Sequence, residues 1–232
     1  MMEHPASSGE GRTVLSRLQR GLECLYRVDT QLDVESFLIT EDARRNSGVA
    51  RSPREQLLVT QAHNDEVRIG LFLHDEAVSN LERHDPARGL DDTNFSDFCL
   101  AVEGVSHFIY VAVCAAGDRS VSALELELQA EVDKFACCLL VAGSDAIDDL
   151  TAGAHARDLT SRLYDDVSFA PDLDIDEHDR YRVANGEARR YAETLSRTFV
   201  ARDRVSEMLP ELRRFYRLGL REKLGHIARV AA

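Results

Sequence analysis

The strongest hydrophobic pattern in the chain lies between residues 94 and 142. Apolar side chains recur there at spacings of three and four, first over residues 94–116 and then over residues 122–142. Such spacing is typical of one face of an α-helix. Only residues 117–121 separate the two stretches, with a short reversal at 117–119, and two helices joined by so few residues must lie antiparallel. The pattern therefore predicts a central antiparallel helical hairpin.

A period of two residues, which is typical of β-strands, appears further toward the N-terminus. From Val67 to Leu73 every second residue is Val, Ile or Leu. The residues just before this stretch, 63–65, are His-Asn-Asp, and Asn and Asp tolerate the backbone angles of a tight turn. Residues 34–40 are also rich in residue types that favour strands. We expect an antiparallel sheet of about three strands, at residues 34–40, 56–62 and 66–74.

The rest of the chain is predicted to be helical. Helical periodicity and capping residues predict further helices at residues 12–28, 75–84, 154–164, 177–200, and from Pro210 to Gly219. Residues 41–53 are charged and contain Gly and Ser, so they are expected to be a mobile connection. The predicted fold class is α+β, with the small N-terminal sheet packed on a larger helical body that is built around the hairpin.

The domain organisation follows from the same patterns. Residues 1–11 are polar and rich in Gly and Ser, so they are expected to be a disordered leader. Residues 12–232 are expected to form a single α+β domain. Its sheet-containing part covers about 12–74 and its helical part about 75–232, which ends in a basic segment, 181–232.

Composition favours a folded protein inside the cell. With 44% hydrophobic and 30% charged residues, the chain is not disordered throughout. No apolar run reaches the ~18 residues of a membrane span, and the N-terminus lacks the apolar centre of a signal peptide. Three of the five cysteines, Cys114, Cys137 and Cys138, have apolar neighbours. We expect reduced, buried thiols, which favours a cytoplasmic location.

The charge of the chain, −13, is unevenly distributed. Residues 181–232 contain 12 Arg or Lys against 6 Asp or Glu, whereas the remainder is strongly acidic and repels nucleic acid and anionic membranes. Three arginines would be one turn apart if a helix continued across Gly219, with a fourth beside the first, and such a row could bind phosphate or an RNA backbone. The predicted anion-binding residues are Arg213, Arg214, Arg217 and Arg221. Alternatively, this segment neutralises the acidic remainder of the chain or of a partner.

The hairpin carries the candidate catalytic chemistry. Glu103 and His107 lie four residues apart on its first helix, and Glu127 and Glu131 lie four apart on its second. Carboxylates and an imidazole on facing helices hold divalent metals in helical bundles, and they also orient general bases. We therefore predict Glu103 and His107 as catalytic residues and all four as metal ligands. The alternative is structural: a Glu103–His107 pair and a Glu131–Lys134 pair, all half exposed.

Three classes of function follow. The sequence has no glycine-rich phosphate loop, nucleophile elbow or Cys/His zinc quartet, which favours a non-catalytic interaction or regulatory protein. Such a protein would be a subunit of a larger assembly or a homo-oligomer, using the hairpin or the basic segment as its contact. The alternatives are a metal-dependent hydrolase built on the Glu/His cluster and an RNA- or nucleotide-associated factor that uses the arginine row.

Overall fold

The computed structural model describes residues 12–47, 53–61, 67–142, 149–165, 167 and 174–232. The predicted leader, 1–11, and the predicted turn, 63–65, lie outside these residues. Single turns of 3₁₀ helix occur at Val34–Phe37, Pro86–Arg88 and Val200–Arg202. The longer elements are α1 (Val14–Tyr26), α2 (Glu41–Asn46), β1 (Glu55–Gln61), β2 (Val67–Leu73), α3 (Asp75–Arg83), α4 (Phe95–Ala116), α5 (Ala123–Ala142), α6 (Asp149–Tyr164), α7 (Ile175–Thr198), α8 (Val205–Tyr216) and α9 (Leu220–Val230).

The predicted central hairpin is confirmed as α4 and α5. Contacts between the two helices step in opposite directions: Tyr110 hydrogen-bonds to Glu125, whereas Lys134 donates to Glu103. The helices are therefore antiparallel. The fold class is α+β, with a helical body and a small antiparallel sheet.

Both helices of the hairpin are covered by other parts of the same chain. The sheet, α1 and α3 pack on α4, while α6 and α7 pack on α5. On α4 the side chains of Val102, Val105 and Phe108 are fully withdrawn from water. Burial of each such side chain stabilises the fold by roughly 1.5–3 kcal/mol. The apolar face of α4 is thus covered within the chain, whereas Leu140 on α5 is 37% exposed.

The helix α4 is also long and apolar enough to span a membrane, the one such helix among the described residues. Length and composition alone give this result, and 72% of its most apolar window is buried inside the protein. A buried core helix passes the same test.

The sheet has two strands in the described part of the chain, β1 and β2, paired antiparallel from Glu55 opposite Leu73 to Gln61 opposite Val67. The predicted third strand, 34–40, is wrong. Its first half is a 3₁₀ turn, and only Leu38 forms an isolated parallel bridge with Leu71. Local capping outweighs the strand preference, because the Asp33 carboxylate accepts a hydrogen bond from the Glu35 backbone N–H and bends the chain.

Two further predictions are corrected. Part of the expected mobile connection is the helix α2, which begins after Thr40, whose hydroxyl accepts from the Ala43 N–H. Pro210 lies inside α8 and does not begin it. The helix starts earlier because burial of Met208 in the core outweighs the one backbone hydrogen bond that proline removes.

Candidate functional site

Six ionisable side chains meet where β1 lies across the hairpin. Their side chains are only 8% to 23% exposed. We call this group the polar cluster: Glu55, Glu103, His107, Glu127, Glu131 and Lys134. The structure thus brings together the four residues that the sequence predicted as metal ligands, and adds Glu55 from β1 and Lys134 from α5.

The strand reaches α4 closely because residue 104 is glycine. A Cβ atom at Gly104 would lie 2.9 Å from Leu73 Cδ2 and 3.1 Å from Glu55 Cγ, which is closer than side chains normally pack. Glycine weakens the interior of a helix, but here it lets the strands lie down on α4. Glu55 is thereby placed beside His107, one helical turn further along.

His107 lies between two carboxylates. Its Nδ1 is 3.4 Å from Glu55 Oε1, and its Nε2 is 3.7 Å from Glu127 Oε2. Burial favours the neutral ring, but hydrogen bonding to Glu55 and attraction to Glu127 and Glu103 outweigh it and raise the pKa of His107 to about 10. The ring is therefore protonated at neutral pH. A buried imidazole stays charged only where the surroundings are strongly negative.

Lys134 neutralises the other side of the cluster. Its Nζ donates to Glu131 Oε1 at 2.7 Å and to Glu103 Oε2 at 3.1 Å. The predicted Glu131–Lys134 pair is confirmed. The alternative prediction that the side chains of these pairs are half exposed is wrong, because they are largely buried. Tyr164 from α6 covers this side of α5, and its hydroxyl donates to the Glu131 backbone carbonyl.

The cluster is arranged as ion pairs and not as a metal-ligand set. Glu103 and Glu131 face the Lys134 ammonium, and His107 faces Glu55 and Glu127. Within the described residues, no three His, Cys, Asp or Glu side chains converge closely enough to hold a metal ion. An ammonium among the carboxylates supplies the positive charge that a metal would otherwise provide. The metal-dependent hydrolase stays a prediction.

A cavity of about 280 Å³ opens beside His107, between β1, α5 and the first turns of α7. We call it the polar cleft. Three buried atoms that belong to lining side chains have no hydrogen-bond partner in the described part of the chain: His107 Nε2, Arg180 Nε and Gln56 Oε1. The charged and aromatic residues of its wall are Glu55, His107, Glu127, Glu177, Arg180 and Tyr181.

Glu127 is the carboxylate between these groups. Arg180 Nε lies 3.9 Å from its Oε1, too far for a hydrogen bond. Burial, together with repulsion from Glu103 and Glu55, raises the pKa of Glu127 to about 7 against the attraction of His107 and Arg180. Burial also raises the pKa of Glu55 and of Glu131. Burial therefore makes these carboxylates easier to protonate, Glu127 close to neutral pH.

The sequence reasoning missed Glu55, Arg180 and Tyr181. Glu55 lies on a strand 52 positions before His107, and the two other residues lie on α7. Nothing in the local patterns links these segments, because their proximity depends on how β1 and α7 pack on the hairpin. One available signal was Gly104. A glycine inside a regular apolar helix indicates that another segment of the chain packs closely against the helix at that point.

The hairpin carries a second polar group on another side, which we call the closed network: Tyr26, Ser106, Gln129, Asp133 and Lys223. The Asp133 carboxylate accepts hydrogen bonds from Ser106 Oγ at 2.5 Å, from Gln129 Nε2 at 2.7 Å and from the Tyr26 hydroxyl. Lys223 donates to Gln129 Oε1.

The rings of Tyr110, Phe215 and Tyr216 surround Lys223 Nζ. Burial lowers the pKa of Lys223 to about 7 and raises the pKa of Asp133 to about 6. Asp133 and Gln129 thus belong to this network and not to the polar cluster.

The four predicted anion-binding arginines do not form one row. The helix ends at Tyr216, and Gly219 is the N-cap of α9. Arg213 Nε donates to the Leu25 carbonyl at 2.7 Å, and Arg217 Nη2 donates to the Tyr26 carbonyl at 3.1 Å. These two arginines thereby provide hydrogen-bond donors to backbone carbonyls at the C-terminal end of α1. Arg214 and Arg221 are exposed.

Comparison of the chain with protein-family models, with curated proteins and with solved structures gave no match.

Proposed function

We propose that the protein is a non-catalytic binding protein with an interaction or regulatory role, and that its polar cleft receives a small organic ammonium ion. The observation that carries the proposal is the excess of carboxylates around the cleft. Among the described residues, the four carboxylates of the polar cluster, Glu55, Glu103, Glu127 and Glu131, are paired with three cations, His107, Lys134 and Arg180. Buried carboxylates in excess are costly unless a cation joins them.

His107 supports the choice of a cation. It is 6% exposed, yet its pKa rises to about 10 after burial has opposed its charge. The same negative surroundings stabilise a second cation next to it. Glu127 is the best placed acceptor, since it lines the cavity and has no close hydrogen bond to Arg180.

The unpartnered atoms refine the ligand class. Gln56 Oε1 is an acceptor, while His107 Nε2 and Arg180 Nε are donors. An amine that also bears a hydrogen-bond acceptor, as amino-acid derivatives do, would satisfy both kinds of atom. A volume of about 280 Å³ lies at the small end of ligand pockets, which favours a compact molecule.

Titration calorimetry at pH 8 with putrescine and with L-lysine amide tests the proposal. Saturable binding is expected, and 1,4-butanediol, a neutral analogue of putrescine, should not bind. Affinity should rise between pH 6 and pH 8 as Glu127 ionises, because its pKa is about 7. Glu127→Gln should weaken binding about tenfold or more, the usual loss for one charge-assisted hydrogen bond.

Glu76→Gln is the matched control, because the Glu76 side chain is 90% exposed and lies outside the cleft. Its affinity should equal that of the wild type. Equal binding of the diol, or affinity for amines that is unchanged by Glu127→Gln, would overturn the proposal. Stoichiometric divalent metal that is lost on His107→Ala would instead favour the hydrolase.

Association with a protein partner or with a second copy belongs to the same proposal. The apolar face of α4 is covered by its own chain, and Arg213 and Arg217 bind carbonyls of α1. A contact would therefore use other surfaces. Sedimentation of the purified protein at several concentrations tests this part, and a monomer that retains no partner would contradict it.

A further inference from the structure

A second cleft lies between α6 and α7, closed at one end by the turn Val200–Arg202. Its cavity measures about 470 Å³, within the usual range of small-molecule sites. The side chains that line it are of a different kind from those of the polar cleft. Three are arginines and three carry hydroxyls: Arg157, Arg189, Arg197, Thr160, Ser161 and Ser196.

One arginine of this cleft is fixed in position. Arg189 Nη1 lies 2.5 Å from Asp165 Oδ1, and its Nε lies 3.0 Å from Glu193 Oε1. The two carboxylates hold the guanidinium at the wall and neutralise its charge. The cations of the cleft that are left for a ligand are therefore the other two arginines.

The two other arginines are exposed and carry no ion pair or hydrogen bond within the described ranges. Arg157 comes from α6 and Arg197 from α7, so they approach the cleft from opposite walls. Guanidinium groups bind phosphate oxygens through paired N–H donors. Two uncommitted arginines across a cavity suit one phosphate group between them.

A buried hydroxyl provides an independent observation. Ser196 is 7% exposed and lines the cavity, and its Oγ has no hydrogen-bond partner among the residues that the structure describes. Buried polar atoms normally have partners, so an unpartnered hydroxyl in a cavity wall points to a ligand. Thr160, on the facing helix, already donates to the Ala156 carbonyl at 2.7 Å.

Charge separates this cleft from the rest of the protein. Among the residues that the structure describes, its three arginines outnumber the two acids that pair with Arg189, Asp165 and the lining residue Glu193, whereas the whole chain carries −13. An acidic protein repels anions in general, so a cationic cavity concentrates them locally. We propose that the cleft between α6 and α7 binds a phosphate monoester of a small molecule, held by Arg157, Arg197 and Ser196.

The proposal is independent of the polar cleft, although α7 contributes to both. Arg180 and Arg189 are nine residues apart on α7, which corresponds to about 14 Å along a helix. Either site can be removed by substitution without a change in the residues of the other.

Titration calorimetry with inorganic phosphate, ribose 5-phosphate and adenosine 5′-monophosphate tests the site. Both monoesters should bind, more tightly than inorganic phosphate, because the cavity is larger than one phosphate group. The double variant Arg157→Gln/Arg197→Gln should weaken binding about tenfold or more, and Ser196→Ala should weaken it several-fold. Both arginines are exposed, so the double variant is expected to fold, which circular dichroism checks.

Arg214→Gln/Arg221→Gln is the matched control. It removes the same charge from two exposed arginines outside the cleft, and it also tests the anion row proposed from the sequence. Its affinity should equal that of the wild type. The site is refuted if no monoester binds at millimolar concentration, or if the control variant loses binding while the cleft variant keeps it.

Discussion

The polar cluster and the closed network are built on the same hairpin, yet their hydrogen bonding differs. In the closed network Asp133 accepts three hydrogen bonds, and Lys223 is enclosed by Gln129 and three aromatic rings. In the polar cluster His107 Nε2 lacks a hydrogen bond and faces a cavity. Networks that are satisfied and enclosed stabilise a fold, whereas unsatisfied groups at a cavity are suited to a ligand.

The largest expected effect is at the centre of the closed network. Asp133→Ala would leave Tyr26, Ser106 and Gln129 without their shared acceptor. Loss of the acceptor from a buried network is expected to lower the free energy of unfolding by about 3–5 kcal/mol. Urea denaturation measures it. A loss under about 1 kcal/mol would mean that the network contributes little to stability.

A smaller effect is expected from Lys223→Met and depends on pH. Burial lowers the pKa of Lys223 from 10.5 to about 7, so between these values the unfolded chain binds a proton that the folded protein does not. The wild type should therefore lose stability relative to the variant, by roughly 2–4 kcal/mol, as pH falls from 10.5 to 7. Denaturation of both proteins at several pH values measures this difference. A difference that is independent of pH would contradict a neutral buried amine.

For Glu127 in the polar cluster, the stability of the wild type is expected to change with pH in the opposite direction. The pKa of Glu127 is raised from 4.5 to about 7, so ionisation of this carboxylate disfavours the folded state as pH rises through that window. Glu127→Gln should therefore be more stable than the wild type by about 1–3 kcal/mol at pH 8, with little difference at pH 4. Thermal or urea denaturation at the two pH values is the test. If the variant is less stable than the wild type at pH 8, the ionised Glu127 carboxylate stabilises the fold, which would contradict this prediction.

The smallest effect on stability is expected at Gly104. An added methyl group favours the helix by about 1 kcal/mol, but its closeness to Leu73 and Glu55 costs about 1–3 kcal/mol. Gly104→Ala should lower the melting temperature slightly and weaken amine binding, because β1 must move away from His107. Gly186→Ala in α7 is the control, since nothing lies within 4 Å of its Cβ position, and it should raise the melting temperature.

Much of the helical body could be predicted from sequence because its information is local. The hairpin and its bounds follow from apolar residues at spacings of three and four, and α4 and α5 lie within a residue or two of the expected ranges. The strand β2 was visible for the same reason, through its period of two, and β1 was placed by the expected turn at residues 63–65. Errors occurred where a local cap or a buried side chain reversed a weak preference, at Asp33 and at Pro210.

The candidate site could be predicted only in part. The placement of Glu103, His107, Glu127 and Glu131 on one side of the hairpin follows from helix periodicity and an antiparallel turn. Their partners could not be inferred in this way. Lys134 is an ion-pair partner on the same helix, but Glu55 and Arg180 come from a strand and a helix that are distant in sequence.

By itself, the sequence determined the helical hairpin, the strand pair and the presence of acidic and imidazole groups on the hairpin. The tertiary structure alone decided which of these groups face a cavity, which are enclosed, and which arginines remain uncommitted. The physical reason is that periodicity records which face of an element is apolar, whereas burial, pKa and cavities depend on the elements that pack against that face.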